Sequence, residues 1–437
     1  MSENGSGKHG NRLRTQVVDS PRLIEAAAWN ALLTQQATPT PFMRHEYLAA
    51  LHASGSATAR TGWSPRFLLL WDGDQLAAAC PLYVKAHSYG EYVFDWAWAN
   101  AYAEHGLHYY PKALVAVPFT PVPGSRLLAR DAVTRATLVQ ALIDWCEAQQ
   151  LSSLHVLFGD AADLAACDAA GLMQRHQVQF HWKNEAPTLP ALHGALPPEG
   201  ALAALGRPGG GSASRSPRFH SFDDFLAALS QDKRKKIRQE RRKVAEAGVT
   251  VRWAPGLDIS AADWAFFYRC YERTYLEHGN APYLTPAFFA DMARDMADAW
   301  VLFIAERGGK AIASSLIAVD ALQASASYQK DHGSDSAAYG RYWGALERVD
   351  CLHFELCYYQ PIDWCIRHGV ARFEGGAQGE HKMARALMPV QTRSAHWLAH
   401  PAFADAVDRF LARESAGIDN YLQHLDARSP FRRATET

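Results

Sequence analysis

Two stretches of alternating hydrophobic and polar residues, far apart in the chain, set out the same local plan. Phe67-Leu68-Leu69-Leu70-Trp71, a turn at Asp72-Gly73-Asp74 and then Gln75 to Val84 read as a β-hairpin. Val301 to Ala305, Glu306-Arg307-Gly308-Gly309 and then Lys310 to Val319 read the same way. Helical sequence precedes each hairpin, at 42–53 and at 286–299. The pattern predicts two copies of one α/β unit.

Between Tyr339 and Lys382 the period changes twice. Ile362, Trp364, Cys365 and Ile366 give an apolar body to a short helix over 356–368, which Pro361 opens or kinks and His368-Gly369 stops. Val370 to Glu374 then alternates as a strand does, and Gly375-Gly376 frees the backbone for close approach of a ligand or another strand. Residues 186–218 are so rich in Pro and Gly that they read as a linker or insertion. The resulting boundaries are a disordered N-terminus at 1–11, a first domain at 12–185, the linker at 186–218 and a second domain at 219–437.

Composition narrows the class. A chain of 437 residues with 48% hydrophobic and 11% aromatic residues can fill large cores. A net charge of −1 exerts no global pull on a polyanion, so any such pull is local. The run from Lys233 to Lys243 supplies it: its clustered cations repel one another and predict a phosphate-bearing or acidic partner, against the plainer reading of a solvated helix face. Lys233, Arg234 and Arg238 are the candidate phosphate contacts. The N-terminal residues hold no signal-peptide core and no apolar run reaches membrane-spanning length, so the expectation is a cytoplasmic protein. The cysteines show no Cys-x-x-Cys pair and read as core hydrophobes. His396 and His400 have metal-ligand spacing for a helix, but Pro401 follows at once, which favours capping or packing. No metal is expected.

The stretch from Tyr339 to Lys382 carries the candidate chemistry, because Tyr, Trp, His, Gln and Glu crowd there in place of ordinary surface Lys and Glu. Direct acyl transfer to an amine needs a base, a donor for the developing oxyanion and a slot that excludes water; it needs no covalent nucleophile. Glu355, Glu374, Glu380 and His381 are base candidates, Tyr358 and Tyr359 are proton donors for a leaving group, and Lys382 or Arg341 offsets phosphate or oxyanion charge. Partial burial beside aromatic sequence is expected to raise the pKa of Glu355 and Glu380. The plainer reading of each is a salt bridge or a buried hydrogen bond.

Leu229 to Arg238, Gly340-Arg341-Tyr342-Trp343-Gly344, His353-Phe354-Glu355, Tyr358-Tyr359-Gln360 and Gly376 to Lys382 resemble the FemAB-like predicted N-acyltransferases, as do Phe94 to Trp98, Tyr109 to Lys112 and Val117 to Val122. The resemblance implies an α/β fold with mixed sheets, built as two tandem GNAT-like acyltransferase domains with a shared cleft. It implies transfer of an acyl or aminoacyl group, from acyl-CoA or aminoacyl-tRNA as co-substrate, to a primary amine of a small molecule or cell-wall precursor. Glu355, Glu380 and His381 are then the catalytic candidates, with tRNA a possible partner. Substrate contacts fall to Lys382, Arg341, Tyr342, Trp343, Tyr358, Gln360 and Gln378. One departure is visible: the glycine-rich pyrophosphate loop of GNAT enzymes is not evident.

Two other readings are kept. A non-catalytic GNAT-fold protein would bind a cell-wall precursor or another phosphate-bearing ligand. A serine hydrolase would use Ser88 of Ala86-His87-Ser88-Tyr89-Gly90, but that elbow demands a helix next, and Glu91 to Trp96 reads as β-rich.

Overall fold

The computed structural model describes residues 13–185, 218–320, 336–376 and 379–432. The expected disordered N-terminus and, Arg218 apart, the linker at 186–218 lie outside the described residues. The first half runs β1 (Arg14–Val18), α1 (Ala26–Thr34), α2 (His45–Ala53), β2 (Trp63–Asp72), β3 (Gln75–Lys85), α3 (Trp96–Glu104), β4 (Lys112–Val115), β5 (Leu128–Ala129), α4 (Ala132–Ala148), β6 (Ser153–Leu157), α5 (Ala161–Ala169) and β7 (Met173–Lys183). The second half runs α6 (Phe222–Ala228), α7 (Gln231–Glu246), β8 (Val249–Pro255), α8 (Ala261–Glu277), α9 (Pro286–Asp295), β9 (Trp300–Arg307), β10 (Lys310–Val319) and β11 (Ala337–Ala345). It continues with α10, which passes from a turn at Leu352–Phe354 through a π-helical turn at Glu355–Tyr359 into Gln360–Arg367, and ends with β12 (Arg372–Glu374), β13 (Met388–Leu398) and α11 (Pro401–Asp426).

Both expected hairpins form, with left-handed glycines at the turns: Gly73 at φ 59° and Gly308 and Gly309 at φ 58° and 75°. All strands join one mixed sheet in the order β1-β2-β3-β4-β6-β13-β7-β12-β11-β10-β9-β8, with β5 beside β3. This order is a palindrome of two tandem GNAT-like halves. β4 lies parallel to β6 as β11 lies parallel to β12. The last strand of each half is exchanged, so that β7 pairs with β12 and β13 pairs with β6.

Helices cover both faces of the sheet. One core joins the two halves under α1, α2, α8 and α9, where Phe42 meets Tyr339 edge-on at 5.3 Å. A second core lies under α6, α7 and α10, and a third under α4 and α5. Each fully enclosed Leu or Phe in them contributes about 1.5–3 kcal/mol. Five cysteines are buried as expected, while Cys351 and Cys357 are half-buried.

One alternative sequence reading, the serine hydrolase, is corrected here. Ser88 is buried, accepts from Lys112 Nζ at 2.8 Å and shares a 2.8 Å hydrogen bond with the Tyr110 hydroxyl; the next helix begins only at Trp96, so no nucleophile elbow exists. His396 lies on β13 and His400 precedes α11, so the two share no helix. His396 is instead buried with its Nδ1 2.7 Å from His155 Nδ1. No described helix is long and apolar enough to cross a membrane.

Candidate active site between the two halves

Where β11 and β12 end, the chain opens a cavity of about 360 Å³. Three local features build its walls. Gly344 lets α8 press against β11, since a Cβ there would meet the Cys270 carbonyl at 1.9 Å. The π-helical turn, in which Gln360 N–H bonds to the Glu355 carbonyl five residues back, carries Cys357 and Tyr358 to the cavity; Pro361, which has no N–H for a regular ladder, follows directly. Gly375 and Gly376 carry the chain past the end of β12, and a Cβ at Gly375 would meet Leu387 at 2.3 Å.

The lining mixes two kinds of side chain. Tyr92, Phe119, Tyr275, Tyr342 and Trp343 supply aromatic rings, and Phe119 stacks on Tyr283 at 4.6 Å. Arg341, Lys382, His353 and His381 stand among them, with Arg341 Nη2 3.3 Å from the Tyr342 hydroxyl. Among the described residues the lining holds no Asp or Glu. Tyr92, Phe119 and Pro121 come from the first half and the rest from the second, so the cavity is shared as expected.

Hydrogen bonds and burial set the charge states. Arg341 Nη2 donates to the Phe119 carbonyl at 2.9 Å and to Thr120 Oγ1 at 3.3 Å. Lys382 Nζ donates to the Gly376 carbonyl at 2.8 Å, and burial pulls its pKa down to about 8. The Tyr358 hydroxyl lies 3.2 Å from His381 Nε2. Burial holds the Tyr358 phenol protonated by raising its pKa; burial, with Lys382 and Arg385 nearby, lowers that of His381. His353, edge-on to Trp343 at 5.2 Å, is lowered by burial to about 4 and is neutral. The Cys357 thiol is pushed up by burial to about 12.

The structure brings together Arg341, Tyr342, Trp343, Tyr358, His381 and Lys382 from the sequence candidates. It places others elsewhere. Glu355 is buried but turns under α7, where Arg241 Nη2 holds it at 3.1 Å and Gln360 Nε2 donates to it at 2.7 Å. Both Glu355 and Gln360 line a separate groove of about 420 Å³ with Arg238, Arg241 and Arg242. Glu380 is exposed, accepting from the Tyr421 hydroxyl at 2.7 Å and from Arg428 at 3.2 Å, and the Tyr421 bond and then Arg428 lower its pKa where a rise was expected. Lys233 and Arg234 lie on the first turn of α7 and line neither space. Gln378 lies outside the described residues.

Glu374 ends β12 just behind the wall. It is buried, bonded to Arg372 Nε at 3.2 Å with His181 at 3.8 Å, and burial raises its pKa to about 7 despite Arg372. The aromatic contributors Tyr92 and Tyr275 carry no motif of their own; the only local signal for the first-half wall was the Val117-Pro118-Phe119-Thr120-Pro121-Val122 run. The loop that enters α10, Leu346 to Cys351, contains Glu347 and Asp350 and no glycine, so the pyrophosphate loop of GNAT enzymes is absent at that helix start.

A two-half mixed sheet with exchanged last strands and a cavity at their junction defines the architectural class. The chain belongs to the FemAB-like family, described as peptidoglycan biosynthesis/recognition, whose model matches residues 20–188 and 208–433. Among solved structures, a crystal structure of FemX is similar at 9% identity and a TM-score of 0.48, covering 90% of this chain and 100% of that one. The structure of L-PGS from Bacillus licheniformis is similar at 9% identity and 0.48, covering 89% and 97%. A tandem GNAT protein from the clavulanic acid biosynthesis pathway is similar at 11% and 0.41, covering 89% and 99%. No curated protein matches the chain.

Proposed function

We propose that this protein transfers an acyl or aminoacyl group from a phosphate-bearing nucleotide donor, acyl-CoA or aminoacyl-tRNA, to a primary amine within the central cavity. The observation that carries this reading is a lining that combines aromatic rings with the cations Arg341 and Lys382 and, among the described residues, holds no carboxylate. Such a lining suits a donor that offers a base for stacking and a phosphate or oxyanion for the cations. Family membership supports a cell-wall precursor as the source of the amine. The glycine-free loop before α10 lacks the backbone cradle that a CoA pyrophosphate would use, which favours aminoacyl-tRNA over acyl-CoA.

The chemistry balances with the residues present. The amine nitrogen attacks the acyl carbon, the C–N bond forms, and the bond from carbon to the ribose oxygen or CoA sulfur breaks. His381, neutral because burial lowers its pKa, takes the proton released by the nitrogen. Tyr358 gives its proton to the leaving atom and recovers one from His381 along their 3.2 Å hydrogen bond. Arg341 and Lys382 hold the donor's charge.

Acetyl-CoA and aminoacyl-tRNA, each offered with a pool of primary amines and cell-wall precursors, test the reading by mass spectrometry of the amide product. An amide formed from either donor supports it. Donor binding without any amide would return the protein to the non-catalytic reading.

A further inference from the structure

A separate groove of about 700 Å³ lies at the β8 edge of the sheet. Trp253, Leu257 and Asp258 enter it from β8 and the turn beyond, Arg294, Asp295 and Asp298 from the end of α9 and the turn that follows, and Trp364 and His368 from the end of α10. None of these lines the central cavity.

Its aromatic side is layered, with Trp253 and His368 exposed and Trp364 buried beneath His368. His368 stacks on Trp364 at 4.2 Å, and Trp253 stands perpendicular to His368 at 5.4 Å. Trp253 is 41% exposed and Leu257 87% exposed, an unusual pair to leave in a concave place. Helix α10 ends here with the Trp364, Cys365 and Ile366 carbonyls capped by the N–H groups of His368, Val370 and Gly369, and the C-terminal end of its dipole places partial negative charge at the groove. His368 Nδ1 lies 2.8 Å from the Trp364 carbonyl; that bond requires a proton on Nδ1 and leaves Nε2 of the neutral ring as an acceptor.

The fixed charge has the same sign. Arg44 is shared between Asp298 at 2.9 Å and Glu46 at 3.5 Å, and Arg294 between Asp295 at 2.6 Å and Asp291 at 2.8 Å. Among the groups that line the groove, Asp258, Asp295 and Asp298 stand against Arg44 and Arg294, a surplus of one carboxylate. Aromatic faces, surplus negative charge and an open acceptor together select a cation that also carries N–H donors. A saccharide would use the same tryptophan but gain nothing from the charge.

We propose that the groove formed by Trp253, His368, Trp364 and Asp258 is a binding site for an organic cation, a guanidinium or primary ammonium group at the end of a flexible chain. The site is independent of the central cavity and of the transfer reaction.

The test uses the full chain with Nα-acetyl-L-argininamide as probe, its neutral isostere Nα-acetyl-L-citrullinamide and N-acetylglucosamine, followed by calorimetry and tryptophan fluorescence. The arginine probe is expected to bind about tenfold more tightly than the citrulline probe, and less tightly as salt rises. Trp253→Leu should weaken it about tenfold and Asp258→Asn about threefold. Both side chains are exposed, so both variants should keep the wild-type melting temperature. Equal binding of the two probes, unchanged affinity in Trp253→Leu, no saturation by the arginine probe below about 0.1 M, or binding of the saccharide alone would each overturn the proposal.

Discussion

Arg341 Nη2 donates to the Phe119 carbonyl at 2.9 Å, and this one bond ties β11 of the second half to the segment after β4 of the first across the central cavity. The same guanidinium sits 5.0 Å over the Phe42 ring, while its Nε is enclosed without a partner. A residue in that place both closes the wall and presents charge to whatever fills the cavity.

Arg341→Met should therefore weaken donor binding and lower stability by about 1.5–3 kcal/mol, as loss of a charged hydrogen bond does. Arg341→Lys should not restore either quantity, since an ammonium lacks the planar fork. Calorimetric titration with the donor and urea denaturation read the two effects separately; wild-type donor affinity in both variants would reduce Arg341 to a structural role.

Lys112 is fully buried and donates to Ser88 and Glu91 at 2.8 Å each and to Asp95. Lys112→Met would leave Asp95 buried without its ion-pair partner and Glu91 with only Lys85 at 3.9 Å, at a cost of about 3–5 kcal/mol. Because Ser88, Glu91 and Asp95 flank Tyr92 in the chain, loss of the lysine should also loosen the aromatic lining. Urea denaturation and donor affinity measure both; a variant as stable as wild type would show that the cluster is not held by charge.

The pH dependence follows from two groups in the cavity. His381 titrates below its ordinary 6.5, so turnover should fall only as pH drops through that lowered value. Lys382 is charged below about 8, so donor affinity should fall as pH rises through it. A kcat profile with its acid limb at or above 6.5 would contradict the base assignment, and a KM indifferent to pH between 7 and 9 would contradict the role of Lys382.

The hairpins and the α10–β12 unit were legible because they rest on local alternation and glycine turns, which need no knowledge of the rest of the chain. The exchange of β7 and β13 was not, because its pairings join residues from opposite halves, such as His181 with Met388. The site divided the same way. Tyr358 stands on the helix that the pattern predicts, whereas Arg341 to Trp343 on β11 and His381 and Lys382 on the turn at Glu380–Arg385 were legible only from their residue types. The positions of Glu355 and Glu380 away from the cavity were not legible, because Arg241, the partner of Glu355, is 114 positions away and Tyr421 and Arg428 draw Glu380 outward. Tyr92 and Tyr275 reach the cavity only through tertiary packing.

Glu355→Gln and Glu380→Gln should each keep turnover within about threefold of wild type, because neither carboxylate lines the cavity. Glu355→Gln should cost stability, since it removes the partner of Arg241. A hundredfold loss of turnover in either variant with the fold intact would move the base out of the cavity.

The most direct measurement is single-turnover transfer from saturating donor to an amine by wild type, His381→Gln, Tyr358→Phe and Lys382→Met. The account predicts transfer slowed by about a hundredfold or more in the first two variants at unchanged donor affinity, with the loss in Lys382→Met falling mainly on affinity. Transfer at the wild-type rate in His381→Gln and Tyr358→Phe would contradict it.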